Sequence, residues 1–176
     1  MNPTGHPAVA WCLSFAMFSA LGSTPVTAGT QASATEDLNK QIVTQAFDRW
    51  AKGGTSFFDE VLAETVVWTI EGSGPSAGVF RGRETFVEQA VRPFTSRLST
   101  PVRPIRTIVW ADGDHVIANW EGSAVARDGG NYNNRYAWIL RMRDGKAVEV
   151  TAFLDLAPYD DVLRRIPSPP QQVEGR

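Results

Sequence analysis

The chain has 176 residues, 43% of them apolar and 20% charged, which suits one globular domain with a proper core and leaves little room for a second. A formal net charge of -2, a pI near 5.7 and the lack of any Lys/Arg run argue against a nucleic-acid partner. Cys12 is the only cysteine, and His6 and His115 are the only histidines, so a disulfide or a His/Cys metal cluster cannot form and no cofactor or metal is implied.

Residues 1–28 differ in kind from the rest. Ala8 to Leu21 carries no charge and is followed by small and turn-forming residues ending in Val26-Thr27-Ala28, the pattern of a signal peptide with a small-x-small cleavage site. The apolar stretch is shorter than the roughly 20 residues a membrane helix wants. Cleavage after Ala28 would remove Cys12 and leave an exported protein, periplasmic or secreted, without a stable membrane span. No Lys or Arg precedes the apolar core, which leaves open a start near Met17 and a cytosolic product.

Residues 29–35 read as a linker, ending in Thr35 as a helix cap with Glu36 and Asp37 in the first turn. Leu38, Ile42, Val43, Ala46, Phe47 and Trp50 then recur at helical spacing until Gly53-Gly54 stops the helix. Ser56 and Asp59 suggest a second, short helix burying Phe57, Phe58, Val61 and Leu62. Thr65 to Ile70, rich in β-branched residues, predicts a strand, Gly72 to Gly78 a loop, and Arg83 to Phe94 a third helix with Phe86, Val87, Ala90, Val91 and Phe94 on one face.

From Val102 the period becomes that of strands. Asp112-Gly113, Asp128-Gly129-Gly130 and Asp144-Gly145 punctuate it as turn signals, predicting four long strands in a meander. Pro158 opens a last helix with Tyr159, Val162 and Leu163, and residues 167–176 read as a disordered tail beyond a domain spanning 36–166. Helices followed by a meander predict an α+β layer design, the helices covering one face of a curved antiparallel sheet. In the longest strand Tyr132, Asn134, Tyr136, Trp138, Leu140 and Met142 form the row expected to face inward.

Leu62 to Thr85 and Tyr132 to Leu156 carry the order and spacing by which residues 36–165 resemble the nuclear transport factor 2-like superfamily, in particular its SnoaL-like and ketosteroid-isomerase-like members. The resemblance implies a cone-shaped half-barrel whose wide end holds a pocket, with an outer sheet face often used to form a homodimer. It also tests the chemistry. The isomerase base falls near Thr69 and its donors near Phe47 and Trp138, none of which can do that work, and the cyclase aspartate position falls near Ala152. A shared fold leaves the reaction open.

Asp155, about one residue pair beyond Ala152, is then the candidate acid/base at the pocket mouth, with helix capping as the competing role. Asn134 and Tyr136 could orient a ligand carbonyl, or could simply satisfy one another's neighbours. Trp68, Trp138 and Phe153 would give an aromatic wall for a flat apolar ligand. Glu149 shares a face with Phe153 and Asp155 and is a candidate second carboxylate, although a cross-strand ion pair suits it better. The expected ligand is a small, largely apolar carbonyl or ring compound, bound either for proton transfer of an isomerase, cyclase or lyase type or by a non-catalytic binding or dimerising module.

Overall fold

The structure, a computed structural model, describes residues 28–54 and 57–168, with side chains from residue 33. The expected signal segment up to residue 27, the expected Ser56 cap and the expected tail from residue 169 lie outside the described residues. Helix α1 runs Ala28–Ala51 and α2 Phe57–Val61, followed by strands β1 (Leu62–Ile70) and β2 (Gly78–Arg81). Helices α3 (Arg83–Phe86) and α4 (Arg92–Thr95) are joined by a π-helical turn at Val87–Val91. The meander follows as β3 (Arg103–Asp112), β4 (His115–Val125), β5 (Asn131–Arg143) and β6 (Lys146–Leu154), and α5 (Leu156–Arg165) closes the domain.

These strands form one open, curved sheet in the order β2-β1-β6-β5-β4-β3. The expected α+β architecture stands, with one change of strand direction. β1 runs parallel to β6, whereas every other neighbouring pair is antiparallel. The reason is topological: β1 reaches the far edge of the meander from the helical segment instead of through a hairpin, so no tight turn dictates its direction. Register shifts at Leu62/Val67, Pro104/Arg106 and Arg141/Met142 mark the irregularities that bend such a sheet.

The inner row of β5 is buried throughout, from Leu140 at 0% exposed to Tyr136 at 7%. Val116, Ala118 and Trp120 on β4 and Val150 and Ala152 on β6 extend the same face, against which Val43, Ala46 and Phe47 of α1 pack. Burying this face removes enough apolar area from water to dominate the folding free energy.

Local reading and structure differ at several places. The first helix begins at Ala28, so residues 29–34 are helical and Thr35 lies within the helix; Gln31, Ala32 and Ala34 are good helix formers. Leu38 is exposed while Asn39 is buried, so the stripe runs from Asn39 through Val43 and Ala46 to Trp50. β1 begins at Leu62, three residues earlier than its β-branched core suggested. β2 had no signature of its own: Gly78–Arg81 is too short to show alternation and is a strand because β1 offers it a free edge, pairing Trp68 with Phe80.

Candidate functional site: an aromatic cavity

Beneath the helices the concave face encloses a cavity of about 430 Å³. Its walls come from α1 (Trp50), α2 (Phe57, Phe58), β1 (Trp68), the π-helical turn, β4 (Trp120), β5 (Tyr136, Trp138) and α5 (Tyr159). Trp138 is the centre of this set, with Trp68 and Trp120 each meeting it edge-on at ring-centroid distances of 5.0 and 4.9 Å. Trp68 stacks on Phe86 at 4.1 Å, and Trp120 stacks on Tyr136 at 3.8 Å with planes 8° apart. Gly122 makes the second stack possible, because a Cβ there would stand 2.8 Å from the Trp120 ring and 3.1 Å from Tyr136.

Nε1 of Trp68 and Nε1 of Trp120 are buried and have no hydrogen-bond partner among the described residues. A buried donor without a partner is uncommon in a native fold, and both nitrogens are sealed within the aromatic packing, not open to the cavity. Tyr159 donates to the Ala90 carbonyl oxygen at 2.9 Å, which pins α5 to the π-helical turn across the cavity. Burial pushes the Tyr136 and Tyr159 phenols well above their ordinary range, so both are protonated at neutral pH. The cavity's carboxylate among the described residues is Asp59, exposed at the rim and 3.6 Å from Arg83, while Arg103 donates to the carbonyls of Trp50 and Gly54 and ties off the end of α1.

Of the residues proposed from sequence, Trp68, Trp138 and Tyr136 meet at this cavity, and Asn134 stands just behind it. Asn134 Nδ2 donates to the Asp155 carbonyl at 2.8 Å and to the Tyr132 phenol at 2.9 Å, while its Oδ1 accepts from the backbone N–H of Asp155 and of Arg135. The Tyr132 phenol, which burial pushes up to about 12, is 2.6 Å from the Tyr136 hydroxyl.

Three proposed residues are elsewhere. The Asp155 side chain is exposed and caps α5, accepting from the Ala157 N–H at 3.0 Å, because the chain turns into a helix there and its first donors need an acceptor. Phe153 and Glu149 fall on the convex face by strand alternation, Phe153 46% exposed and Glu149 paired with Arg141 directly opposite on β5. That pairing holds the Glu149 carboxyl below its usual range.

Residues 43–150, more than half of the chain, match the model of the SnoaL-like domain. The chain belongs to the SnoaL-like domain family. No curated protein matches it. Among solved structures, this SnoaL-like domain is similar to Bal32a from a soil-derived mobile gene cassette, at 21% identity and TM-score 0.60, over 73% of this chain and 98% of that one. A putative SnoaL-like polyketide cyclase from Jannaschia sp. CCS1 is 17% identical with TM-score 0.54, covering 75% and 95%. TerC co-crystallised with polyporic acid is 16% identical with TM-score 0.56, covering 72% and 98%. At these identities the likeness concerns the fold.

Several cavity residues of this SnoaL-like domain escaped the sequence reading. Trp120 was visible in the alternation of β4, but nothing local tells that it faces Trp138. Trp50 and Tyr159 lie on helices at opposite ends of the domain. Tyr132 stood in the predicted inner row, and the signal that could have singled it out is its i, i+2, i+4 spacing with Asn134 and Tyr136, which places three polar groups on one face of one strand.

Proposed function

We propose that this SnoaL-like domain binds a small, flat, largely apolar ring compound carrying a carbonyl or related acceptor oxygen. The observation that carries this reading is the aromatic wall itself, in which Trp50, Phe57, Trp68, Trp120 and Trp138 join the Tyr136 ring around about 430 Å³. Aromatic walls favour a planar ring, and the Tyr136 phenol offers an oxygen on that ring a polar partner. A neighbour of the same fold was crystallised with polyporic acid, and others bear the names of polyketide cyclases and a putative isomerase, which fits a ring-compound ligand.

Asp155 is better understood as a helix cap than as a proton-transfer group, so binding is the function the site supports best. Native mass spectrometry of the purified protein, followed by tryptophan fluorescence with aromatic ketones, tests it. A retained mass of a few hundred daltons, or saturable quenching, is expected. No retained ligand and no quenching by any ketone at millimolar concentration would end the proposal.

A second reading concerns the convex face. Trp110, Ile117, Ile139, Thr151, Thr69 and Val79 align in one row across all six strands, with Trp110 49% and Val79 55% exposed and Ile108 and Phe153 in the next row. Charged rows border them, Arg106–Glu121–Arg135 on one side and Arg141–Glu149 on the other. We propose that a second copy of the chain covers this face, since an apolar stripe between rows holding both signs of charge can meet its own two-fold image. Light scattering should give a dimer that Trp110→Glu dissociates; a monomeric wild-type protein at 100 µM, far above the Kd of a stable dimer, would refute it.

Residues 1–28 we propose to be a signal peptide removed on export. N-terminal sequencing of the protein from periplasm or medium should begin at Gly29, and a chain retained in the cytosol with Met1 would refute export.

A further inference from the structure

The polar chain behind the cavity has a direction. The Asn134 amide cannot be flipped, because its Oδ1 accepts from two backbone N–H groups, Arg135 at 2.7 Å and Asp155 at 3.1 Å, and an NH2 in that place would face both donors. Its Nδ2 protons therefore go to the Asp155 carbonyl and to the Tyr132 oxygen. Tyr132 is left with one proton to place. Its hydroxyl is 1% exposed with its residue and has one further partner among the described residues, the Tyr136 oxygen at 2.6 Å.

Two arrangements are open to that last contact. If Tyr136 donated to Tyr132, the Tyr132 proton would be stranded in a packed region that does not border the cavity. If Tyr132 donates to Tyr136, every atom behind the cavity is satisfied, and the proton left over is that of Tyr136, the one member of the chain that lines the cavity. The second arrangement leaves no buried group orphaned unless the cavity lacks an acceptor.

From this we infer that the relay Asn134 to Tyr132 to Tyr136 fixes Tyr136 as an obligatory hydrogen-bond donor to a ligand oxygen. The inference rests on the binding function proposed above and adds selectivity to it. Stacked flat on Trp120, the Tyr136 ring cannot swing away, so its proton stays at the cavity wall. A fixed donor in an aromatic slot selects a carbonyl or enolate oxygen over the bare hydrocarbon. Tyr136 does not occupy the positions, near Phe47 and Trp138, where the isomerase donors would fall.

The test uses the full mature chain and three matched probes, 1-tetralone, 1-tetralol and tetralin, with binding read by tryptophan fluorescence. Wild type should bind the ketone about 5- to 10-fold more tightly than tetralin, the yield of one net hydrogen bond. Tyr136→Phe should erase that ratio while leaving tetralin affinity unchanged. Tyr132→Phe, which removes the donor that sets the direction without touching the cavity wall, should reduce it partway. Asn134→Asp, whose carboxylate would accept from Tyr132 and so reverse the chain, should favour tetralol over tetralone; if it fails to fold, the two phenylalanine variants still decide. Equal binding of all three probes by wild type, or a ketone preference that survives Tyr136→Phe, would overturn the inference while the pocket stands. Binding of none would remove the pocket function and the inference with it.

Discussion

The concave face has two polar regions that follow opposite rules. Around Asn134 the amide has every partner it can take: it pairs with the Asp155 backbone in both directions and reaches the Tyr132 hydroxyl, which in turn meets Tyr136. Around Trp138, two inward-facing positions further along the strand, the two indole donors of Trp68 and Trp120 have no partner among the described residues. The first region holds the β6–α5 junction in place, since Asn134 acts there as a substitute strand partner for a chain that has left the sheet. The second is aromatic packing that seals two donors away from any acceptor. Polarity satisfied within the chain supports structure, whereas the sealed donors are a cost that the ring contacts around them offset.

The contrast can be broken most forcefully at its aromatic side. Trp138→Ala removes the ring that Phe47, Phe57, Trp68 and Trp120 all touch, and urea unfolding should show a loss of about 3–5 kcal/mol. On the satisfied side, Asn134→Leu strands the Asp155 N–H and carbonyl together, and the same measurement should lose about 2–4 kcal/mol with no compensating packing gain.

Alkali sharpens the comparison next. The folded Tyr132 phenol titrates near 12 and the unfolded one near 10, so between these values the unfolded chain releases a proton that the folded chain keeps. Tyr132 therefore adds to stability in full below pH 10, and that share, on the order of 2 kcal/mol, is lost as pH rises to 12. Tyr132→Phe should make the slope shallower without abolishing it, since the Tyr136 and Tyr159 phenols are raised too, as followed by urea midpoints across the range.

Trp120→Phe isolates an unpaired donor. It should cost only about 1 kcal/mol of stability in urea unfolding, since the lost ring area is offset by removal of an orphaned N–H. The smallest effect is expected at Asp155→Asn. Asparagine caps helices as well as aspartate, so unfolding should shift by less than about 0.5 kcal/mol and ligand affinity should not move. A large loss of affinity there would restore Asp155 to the site.

How much of this was legible in the sequence depends on the range of the interaction. The inner row from Tyr132 to Met142 could be read directly, because strand alternation puts successive side chains on opposite faces wherever the strand lies. The same parity put Glu149 on one face with Phe153, and the cross-strand ion pair that suited Glu149 better is formed, with Arg141 as its partner. Asp155 carried two readings of equal local plausibility, and the chain around it decided for the cap. β2 and the parallel β1–β6 pairing left no local trace, since both depend on where a distant strand edge lies.

The amino-acid order alone determined the element types, the helices-then-meander plan and the buried face of the longest strand, because periodicity and turn chemistry act within a few residues. Only the tertiary structure decided which tryptophans meet, that Trp68 and Trp120 keep their N–H groups unpaired, and that Tyr136 rather than Asp155 borders the cavity. Those facts arise because residues as far apart in the chain as Trp50 and Tyr159 line one cavity. They depend on how the sheet bends, which no window of neighbouring residues encodes.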